Sequence, residues 1–342
     1  MPLPPTRRRP SAPHRIRSRS VLGAEAARVA IVPASVPPAA TPVPLDSTPA
    51  PLLRSTGLVG RAASLAARRL RAFIDPEFER QYDRILAQMG PGNFDPFGFN
   101  LGYARYALHA AALLYRRYFR CRVSGLEHVP PGRALLVANH SGQLPIDGMM
   151  IATALILEHD PPRLVRSMIE KWAATLPVVS TFFARCGQVV GIPENCRLLL
   201  EREELILVFP EGTRGISKTI DRAYQLEEFG SGFVRLALEN RTPIVPVAVV
   251  GAEEQYPSVL NLKAIADLVG APALPISPLF LLGPLGLLPL PTRYFISFGP
   301  PIRLEGEADE DDEGVAEHVR SVRSTIQDML QRSLDERESI FG

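Results

Sequence analysis

The chain has 342 residues, of which 46% are hydrophobic, so it is long enough to bury a sizeable core. Its net charge of only +2 gives no global electrostatic attraction for nucleic acid. Its three cysteines show no CxxC spacing and no disulfide framework, which excludes a disulfide-stapled secreted domain and a cysteine-based metal site.

The first 55 residues are rich in proline, alanine, serine and arginine and contain no aromatic residue. Such a composition cannot bury enough apolar surface to offset the entropy of ordering, so we predict a disordered arm over residues 1–55. A transit peptide is the alternative interpretation, because the region is rich in arginine and poor in acids. The many prolines disfavour the amphipathic helix that a transit peptide needs.

Residues 56–118 are predicted to form helices that precede the main domain. In the second of them, Asp75 is expected as the N-cap and Pro76 as the first helical residue, with Gly90 after the end. Helices of this kind pack on a domain or lie on a membrane with their arginines at the phosphate level. Apolar residues recur at helical spacing over residues 58–73, 75–90 and 101–118.

From residue 119 to 305, short apolar runs alternate with helical patterns. This alternation predicts an α/β domain with a mostly parallel central sheet flanked by helices. An acidic linker and a C-terminal helix are expected over residues 306–342. The predicted strands cover residues 119–124, 134–139, 164–169, 188–192, 205–210, 243–250 and 294–299. Helices are predicted at 145–157, 172–185, 193–201, 232–239 and about 312–338.

An uncharged apolar segment covers residues 268–292 and is long enough to span a bilayer if it is helical. It contains six prolines, however, and that number forbids a regular helix. An irregular backbone exposed to hydrocarbon is not viable either. We therefore predict a loop region that packs on the domain or dips into a membrane interface.

A histidine and an aspartate lie where the second predicted strand ends. His140 follows the strand sequence "LLVAN" directly, and Asp147 falls in the first turn of the next predicted helix. A neutral imidazole can take a proton from a hydroxyl near neutral pH, and a neighbouring carboxylate would hold its tautomer. An acid in a first helical turn also complements the helix dipole, so a purely structural role for Asp147 stays open. No Gly-x-Ser-x-Gly motif supports a serine triad.

A second polar cluster follows the strand that ends in "VFP". Gly212 permits a tight turn and a close approach of backbone to a ligand. The guanidinium of Arg214 suits phosphate oxygens, and Glu211 would accept a hydroxyl or orient Arg214. The alternative is a surface ion pair between Glu211 and Arg214 that contributes little to stability. Arg197 would supply a second cation, with an ordinary exposed helical arginine as its alternative.

Four motifs give the chain a family resemblance over about residues 119–301. The stretches "NHSGQLPIDG", "GIPENCR", "FPEGTRG" and "PIVPVAVVG" resemble, in order and rough spacing, the four blocks of the PlsC-like phospholipid/glycerol acyltransferase superfamily. Six residues separate the histidine from the aspartate here, whereas the family's usual block has four. The resemblance implies His140 as the general base and Asp147 as its orienting acid. It implies a set of acceptor-binding residues, namely Arg197, Glu211, Gly212, Thr213 and Arg214. It also implies that Pro246 lies in a strand that shapes the pocket.

The resemblance also implies a reaction. A fatty acyl group would move from an acyl-CoA or acyl carrier protein thioester to a glycerolipid hydroxyl, such as that of 1-acylglycerol-3-phosphate. Since the thioester supplies the activation, we expect no metal and no redox cofactor. The expected partners are a lipid acceptor, a membrane surface and acyl carrier protein, without nucleic acid. The expected location is peripheral, at the cytoplasmic face of a membrane.

Two alternatives from other classes stay open at this point. The unusual spacing between His140 and Asp147 motivates a non-catalytic lipid-binding protein on the same fold. A hydrolase of lipid esters or thioesters, in which water replaces the acceptor, is the other.

Overall fold

A computed structural model of the chain describes residues 75–89, 95–141, 144–262, 275–307 and 311–341. The predicted arm over residues 1–55 and the predicted helix over 58–73 lie outside these ranges. Both therefore stay predictions, as do the proposed domain boundaries.

Two helices come before the sheet. Helix α1 (Pro76–Met89) begins as predicted, because the Asp75 carboxylate accepts hydrogen bonds from two backbone N–H groups of the first turn, at 2.9 and 3.2 Å. Helix α2 (Leu101–Leu113) continues into a π-helical turn at Leu114–Tyr118. Both helices bury apolar side chains such as Phe78 in the core, which confirms an N-terminal helical segment in front of the sheet.

Among the described residues, a seven-stranded sheet lies at the centre of the fold. Its strands are β1 (Arg122–Ser124), β2 (Ala134–Ala138), β3 (Val165–Ile169), β4 (Val189–Val190), β5 (Leu205–Val208), β6 (Ile244–Val250) and β9 (Phe295–Phe298). A separate antiparallel ribbon contains β7 (Leu260–Asn261) and β8 (Pro275–Ile276). The order in the large sheet is β1-β9-β6-β2-β5-β3-β4, and only β6 and β9 pair antiparallel. The predicted mostly parallel α/β sheet is confirmed.

Helices cover both faces of the sheet, which explains why the central strands are continuously apolar. Strands β2 and β6 are buried along their whole length. The remaining helices are α3 (Ile146–Leu157), α4 (Val179–Arg185), α5 (Pro193–Glu201), α6 (Thr213–Ile216), α7 (Gly232–Asn240) and α8 (Asp312–Asp335). One face packs against α1, α2 and α3, and the other against α5, α7 and α8.

The helix predicted over residues 172–185 is interrupted. A 3₁₀ turn occupies Ala173–Thr175, and α4 begins only at Val179. Leu176 between them is extended, with φ −74° and ψ 123°. It precedes Pro177, and a residue before proline is disfavoured in the helical conformation, so the break follows from the sequence.

The described part of the apolar segment, residues 275–292, forms no regular α-helix. A 3₁₀ helix runs over Pro278–Leu287 and is broken at Gly283, where φ is 61° and ψ is −134°. This agrees with the expectation drawn from the prolines. Among the described residues, no helix is both long and apolar enough to cross a membrane.

The parallel strands β2, β3, β5 and β6 end at one edge of the sheet, which we call the carboxyl edge. The chain leaves this edge into His140 after β2, into Glu170 after β3 and into Glu211 after β5. Ligands of open α/β sheets bind beyond such strand ends. The fold therefore brings the two polar clusters of the sequence to one place.

Candidate active site

His140 and Asp147 are in direct contact at the end of β2. The His140 Nδ1 atom lies 2.7 Å from Oδ2 of Asp147. Because α3 begins at Ile146, the aspartate sits in its first turn and points back toward the strand end. The longer spacing of six residues therefore does not separate the pair. The His140 side chain keeps 15% of its surface exposed, whereas Asp147 is fully buried.

Backbone N–H groups fix the Asp147 carboxylate in place. Ser141 donates its N–H to Oδ2 at 3.0 Å, and Gly148 donates to Oδ1 at 2.7 Å. Two backbone donors and one imidazole satisfy a carboxylate that would otherwise be costly to bury. A carboxylate beside Nδ1 favours the tautomer that carries the ring proton on Nδ1, and in that tautomer Nε2 is the acceptor nitrogen.

His140 has two further contacts, one at its ring and one at its backbone. Its ring stacks on Phe209, with centroids 4.3 Å apart and planes inclined by 26°. At the same edge of the sheet, α6 approaches the backbone of His140 very closely. A Cβ added at Gly215 would lie 2.7 Å from the His140 carbonyl oxygen. Only glycine fits at this point of the "EGTRG" motif.

Glu211 ties the end of β5 to the end of β2. Its Oε1 accepts the backbone N–H of His140 at 2.8 Å, and its Oε2 accepts that of Glu227 at 2.8 Å. The residue is 1% exposed, so the alternative of a surface Glu–Arg pair is wrong. Gly212 follows in a left-handed turn with φ 56°, which favours glycine and lets the chain enter α6.

A buried lysine completes this cluster. Lys218 Nζ lies 2.8 Å from Oε1 of Glu253 and 3.4 Å from Oε2 of Glu211. Burial opposes the positive charge, but Glu253 and Glu211 outweigh it and hold the pKa of Lys218 above its ordinary value. Sequence reasoning missed both Lys218 and Glu253. The available signal was that Lys218 is one of only three lysines and follows the "EGTR" motif closely.

Arg214 lies on α6 at the rim of the cluster. Its Nη2 donates to the Glu228 carbonyl oxygen at 2.7 Å, and half of its side chain is exposed. It lines an open cavity of about 360 Å³ together with Arg222, whose guanidinium lies 2.9 Å from Oε1 of Glu227. Sequence reasoning missed Arg222. The remaining lining residues are Ser217, Lys218, Thr219, Glu227 and Asn261. Exposed guanidinium groups beside a cavity suit an anionic group of a ligand.

Arg197 does not reach this site, which corrects the expectation of a second cation there. Its Nε donates to Glu239 at 2.7 Å, and Glu239 lies in the last turn of α7. That turn leads into the amino end of β6, at the edge of the sheet opposite His140. The alternative of an ordinary exposed helical arginine describes Arg197 better.

Of the two other predicted residues, Thr213 lies near the strand ends of the site and Pro246 does not. Thr213 is the first residue of α6, beside Arg214. Pro246 is buried in the middle of β6, opposite Val137 of β2, and packs closely on Gly299. The structure brings Thr213 to the carboxyl edge and leaves Pro246 within the sheet.

Asn139 is a site residue that sequence reasoning left without a role. Its side-chain amide donates to the Val249 carbonyl oxygen at 3.0 Å, and its Oδ1 accepts the Val249 N–H at 2.8 Å. The side chain thus extends the pairing of β2 with β6 by one residue while the backbone turns away. This pairing fixes the point from which His140 leaves the sheet.

Comparisons with known proteins relate the chain to a family. The family model described as Acyltransferase matches residues 120–250, which include His140, Asp147 and Glu211. An uncharacterized protein of Mycobacterium tuberculosis is 41% identical over 254 residues, which cover 72% of this chain and 70% of that protein.

Two further relatives are more distant. The "DGAT1/2-independent enzyme synthesizing storage lipids" of Mus musculus is 24% identical over 212 residues, covering 61% of this chain and 60% of that protein. The "Probable 1-acyl-sn-glycerol-3-phosphate acyltransferase" of Mycoplasma pneumoniae is 26% identical over 181 residues, covering 51% and 64%. The chain therefore belongs to the PlsC-like phospholipid/glycerol acyltransferase superfamily and is an enzyme of the glycerolipid acyltransferase type.

Proposed function

We propose that this enzyme transfers a fatty acyl group from an acyl-CoA or acyl carrier protein thioester to a glycerolipid hydroxyl, with His140 as the general base. The observation that supports the proposal is the 2.7 Å contact between His140 Nδ1 and the buried Asp147 carboxylate. This contact leaves Nε2 as the proton acceptor and stabilises the imidazolium that forms during the reaction. It also removes the spacing argument for a non-catalytic protein.

The proposed reaction proceeds without a covalent acyl-enzyme. Nε2 of His140 takes the proton of the acceptor hydroxyl while the hydroxyl oxygen attacks the thioester carbonyl carbon. The tetrahedral intermediate collapses, the C–S bond breaks, and the ester forms. The thiolate leaving group then receives the proton from the imidazolium, which returns His140 to its neutral state. Asp147 stays ionised throughout and orients the ring.

A phosphate-bearing acceptor such as 1-acylglycerol-3-phosphate fits this site. Arg214 and Arg222 both line the open cavity next to Lys218, and a guanidinium binds phosphate oxygens through paired N–H groups. Arg214 follows Glu211 by three residues, and Glu211 holds the His140 backbone. An acceptor bound by Arg214 would therefore be positioned relative to His140 through Glu211. Since acceptor and product are membrane lipids, we also propose peripheral association with the cytoplasmic face of a membrane.

The test is thiol release from palmitoyl-CoA and from palmitoyl acyl carrier protein by the purified enzyme. Each donor is offered with 1-acylglycerol-3-phosphate, with monoacylglycerol, with diacylglycerol or without acceptor. We expect release that depends on the phosphate-bearing acceptor and that His140→Ala abolishes. Release without any acceptor would instead favour a thioester hydrolase. Release with monoacylglycerol alone would contradict the proposal that Arg214 and Arg222 bind an acceptor phosphate.

A further inference from the structure

Two exposed apolar surfaces lie at the carboxyl edge, and the reaction chemistry uses neither. The first is the leucine turn, residues 278–288, which holds the broken 3₁₀ helix. Thr292, just beyond it, donates its hydroxyl to the Gly251 carbonyl oxygen at 2.7 Å, so the turn adjoins the carboxyl end of β6. Five leucines of the turn keep 61% to 90% of their surface exposed, namely Leu281, Leu282, Leu285, Leu287 and Leu288.

The second surface, which we call the α4 surface, follows the carboxyl end of β3. It comprises exposed apolar side chains that flank the 3₁₀ turn and those at the start of α4, a helix in which no residue is buried. Soluble proteins rarely leave adjoining apolar side chains of this size in water without a partner. Its members are 37% to 81% exposed, namely Trp172, Leu176, Val178, Val179 and Phe182.

His140 lies between the two surfaces. The strand order β9-β6-β2-β5-β3 puts β2 midway between β9, which follows the leucine turn, and β3, which precedes the α4 surface. Neighbouring strands are spaced by ~4.8 Å, so the two surfaces are separated by about 19 Å along the edge. Leu144, in the loop between His140 and Asp147, is itself exposed and lies between them. A flat apolar partner at this edge would contact the leucine turn, the α4 surface and Leu144.

The leucine turn is joined to the site by one residue. Tyr256 donates its hydroxyl to the Leu287 carbonyl oxygen and also lines a small cavity beside Gly215 and Lys218. Gly215 in turn approaches the backbone of His140. The turn is therefore part of the wall around the site rather than a remote loop.

An arginine adjoins each of the two surfaces. Residues 275–292 carry no charge, and at their end Arg120 donates to the Pro291 carbonyl oxygen at 2.8 Å. On the other side, the guanidinium of Arg185 in α4 lies over the ring of Tyr103, 5.2 Å from the ring centroid. Arginine beside exposed leucine and aromatic side chains is the pattern of segments that lie in a bilayer interface.

The backbone of the turn also suits an interfacial depth. Its prolines have no N–H group that would need a partner on leaving water. The hydroxyl of Ser277 accepts the Leu279 N–H at 3.3 Å, and the Leu288 N–H donates to the Leu285 carbonyl oxygen at 3.1 Å. Such a turn can enter the headgroup region, whereas a deeper position would require all its backbone groups to be paired internally.

We propose that the carboxyl edge docks on the surface of a lipid bilayer through the leucine turn and the α4 surface. In this orientation His140 faces the leaflet that supplies the acceptor. The inference rests on the proposed function in that the acceptor is taken to be a bilayer lipid. A second copy of this chain or an apolar protein segment would use the same surfaces, and the experiments below separate those occupants from the bilayer.

Trp172 makes the docking directly observable, because it is the single tryptophan of the chain and belongs to the α4 surface. The full-length enzyme is titrated with phosphatidylcholine vesicles that contain phosphatidylglycerol, with and without brominated acyl chains. We expect a blue shift of the Trp172 emission and quenching by the brominated lipid. An emission spectrum that vesicles leave unchanged would overturn the α4 surface as a docking site.

Co-sedimentation with the same vesicles tests the leucine turn. The double variant Leu281→Asp with Leu285→Asp removes two exposed leucines, so the vesicle partition coefficient should fall by about tenfold or more. The matched control is Leu198→Asp, an exposed leucine on α5 away from the carboxyl edge, which should bind as the wild type does. Equal binding by all three proteins would overturn the proposal. The proposal would also be overturned if the wild type and the Leu198→Asp control self-associated without lipid and the double variant did not, because the leucine turn would then bind a second copy of the chain.

Failure of docking and failure of the proposed function give different results. His140→Ala should bind vesicles as the wild type does while losing acyl transfer. If the wild-type enzyme transferred acyl groups to a monomeric short-chain acceptor but did not bind vesicles, the docking proposal would be contradicted and the proposed function would be supported. Vesicle binding that needs the leucine turn, without transfer to any acceptor, would support docking and contradict the proposed function.

Discussion

The backbone N–H of His140 donates to Oε1 of Glu211 at 2.8 Å, and the carboxylate that receives it is almost fully buried. The glutamate of the "FPEGTR" motif is thus a brace between two strand ends. It sets the position of the histidine backbone, while Asp147 sets the orientation of the ring. The two carboxylates near His140 have different tasks. Glu211 was expected to bind the acceptor, but both of its oxygens accept backbone N–H groups and its side chain is buried, so its role is structural.

The brace should be costly to remove. Glu211→Ala removes one of the two carboxylates beside Lys218 and leaves the N–H groups of His140 and Glu227 without this acceptor. Breaking a buried ion pair costs about 3–5 kcal/mol, so the free energy of unfolding should fall by about that amount. Urea unfolding followed by circular dichroism measures it. Glu211→Gln keeps an acceptor for His140 and should lose less; equal unfolding midpoints for wild type and Glu211→Ala would contradict the brace.

Lys218 should make stability depend on alkaline pH. Its pKa is raised in the folded state, so its contribution is fully present below the unfolded value of 10.5 and is lost as pH rises through the folded pKa. The difference in unfolding free energy between wild type and Lys218→Met should stay constant from pH 7 to about pH 10 and shrink above that. Urea unfolding across this range is the measurement. A difference that stays constant at high pH would show that the charge of Lys218 is not involved.

Gly215 should tolerate no side chain. A Cβ at this position would lie 2.7 Å from the His140 carbonyl oxygen and 3.0 Å from the Glu211 Cβ, so α6 would have to move. Displacement of a catalytic group by about 1 Å costs up to ~100-fold in rate, and we expect Gly215→Ala to lower kcat by roughly 10- to 100-fold.

Gly232→Ala on α7 is the matched control for Gly215→Ala, because an added Cβ there meets nothing within 4 Å. Acceptor-dependent thiol release should be unchanged in this control. Equal kcat values for the two variants would refute the packing of α6 against His140.

The two predicted arginines should behave differently. A hydrogen bond to a charged group contributes about 1.5–3 kcal/mol, so Arg214→Gln should raise KM for 1-acylglycerol-3-phosphate by roughly 10- to 100-fold. KM for an uncharged acceptor should change little. Arg197→Gln removes only a half-exposed pair with Glu239 and should leave both KM values near those of the wild type. Losses of the same size in the two variants would contradict the distinction.

The fold was predictable because its signals are local. The N-cap at Asp75 and the proline at the start of α5 mark helix ends directly in the sequence. The apolar runs of β2 and β6 are typical of parallel strands covered on both faces. The antiparallel direction of β9 was not predictable, since strand direction depends on the path of the chain over residues 251–294.

The site was predictable only where strand ends mark it. His140, Asp147 and Glu211 each follow a buried strand closely, and the parallel topology brings them together. The pair of Lys218 and Glu253 was not predictable, because the two residues lie 35 positions apart in the sequence and come into contact only when the chain folds. Arg197 was expected at the site from its motif, yet its side chain pairs with Glu239 in the last turn of α7.

The central claim is that His140 and Asp147 act as one unit in proton transfer. Its most direct measurement is a double-mutant cycle on kcat for acceptor-dependent thiol release, with His140→Ala, Asp147→Asn and both together. If Asp147 acts only through His140, the double variant should be no slower than His140→Ala alone. Losses that multiply in the double variant, or a His140→Ala enzyme with wild-type kcat, would contradict the account.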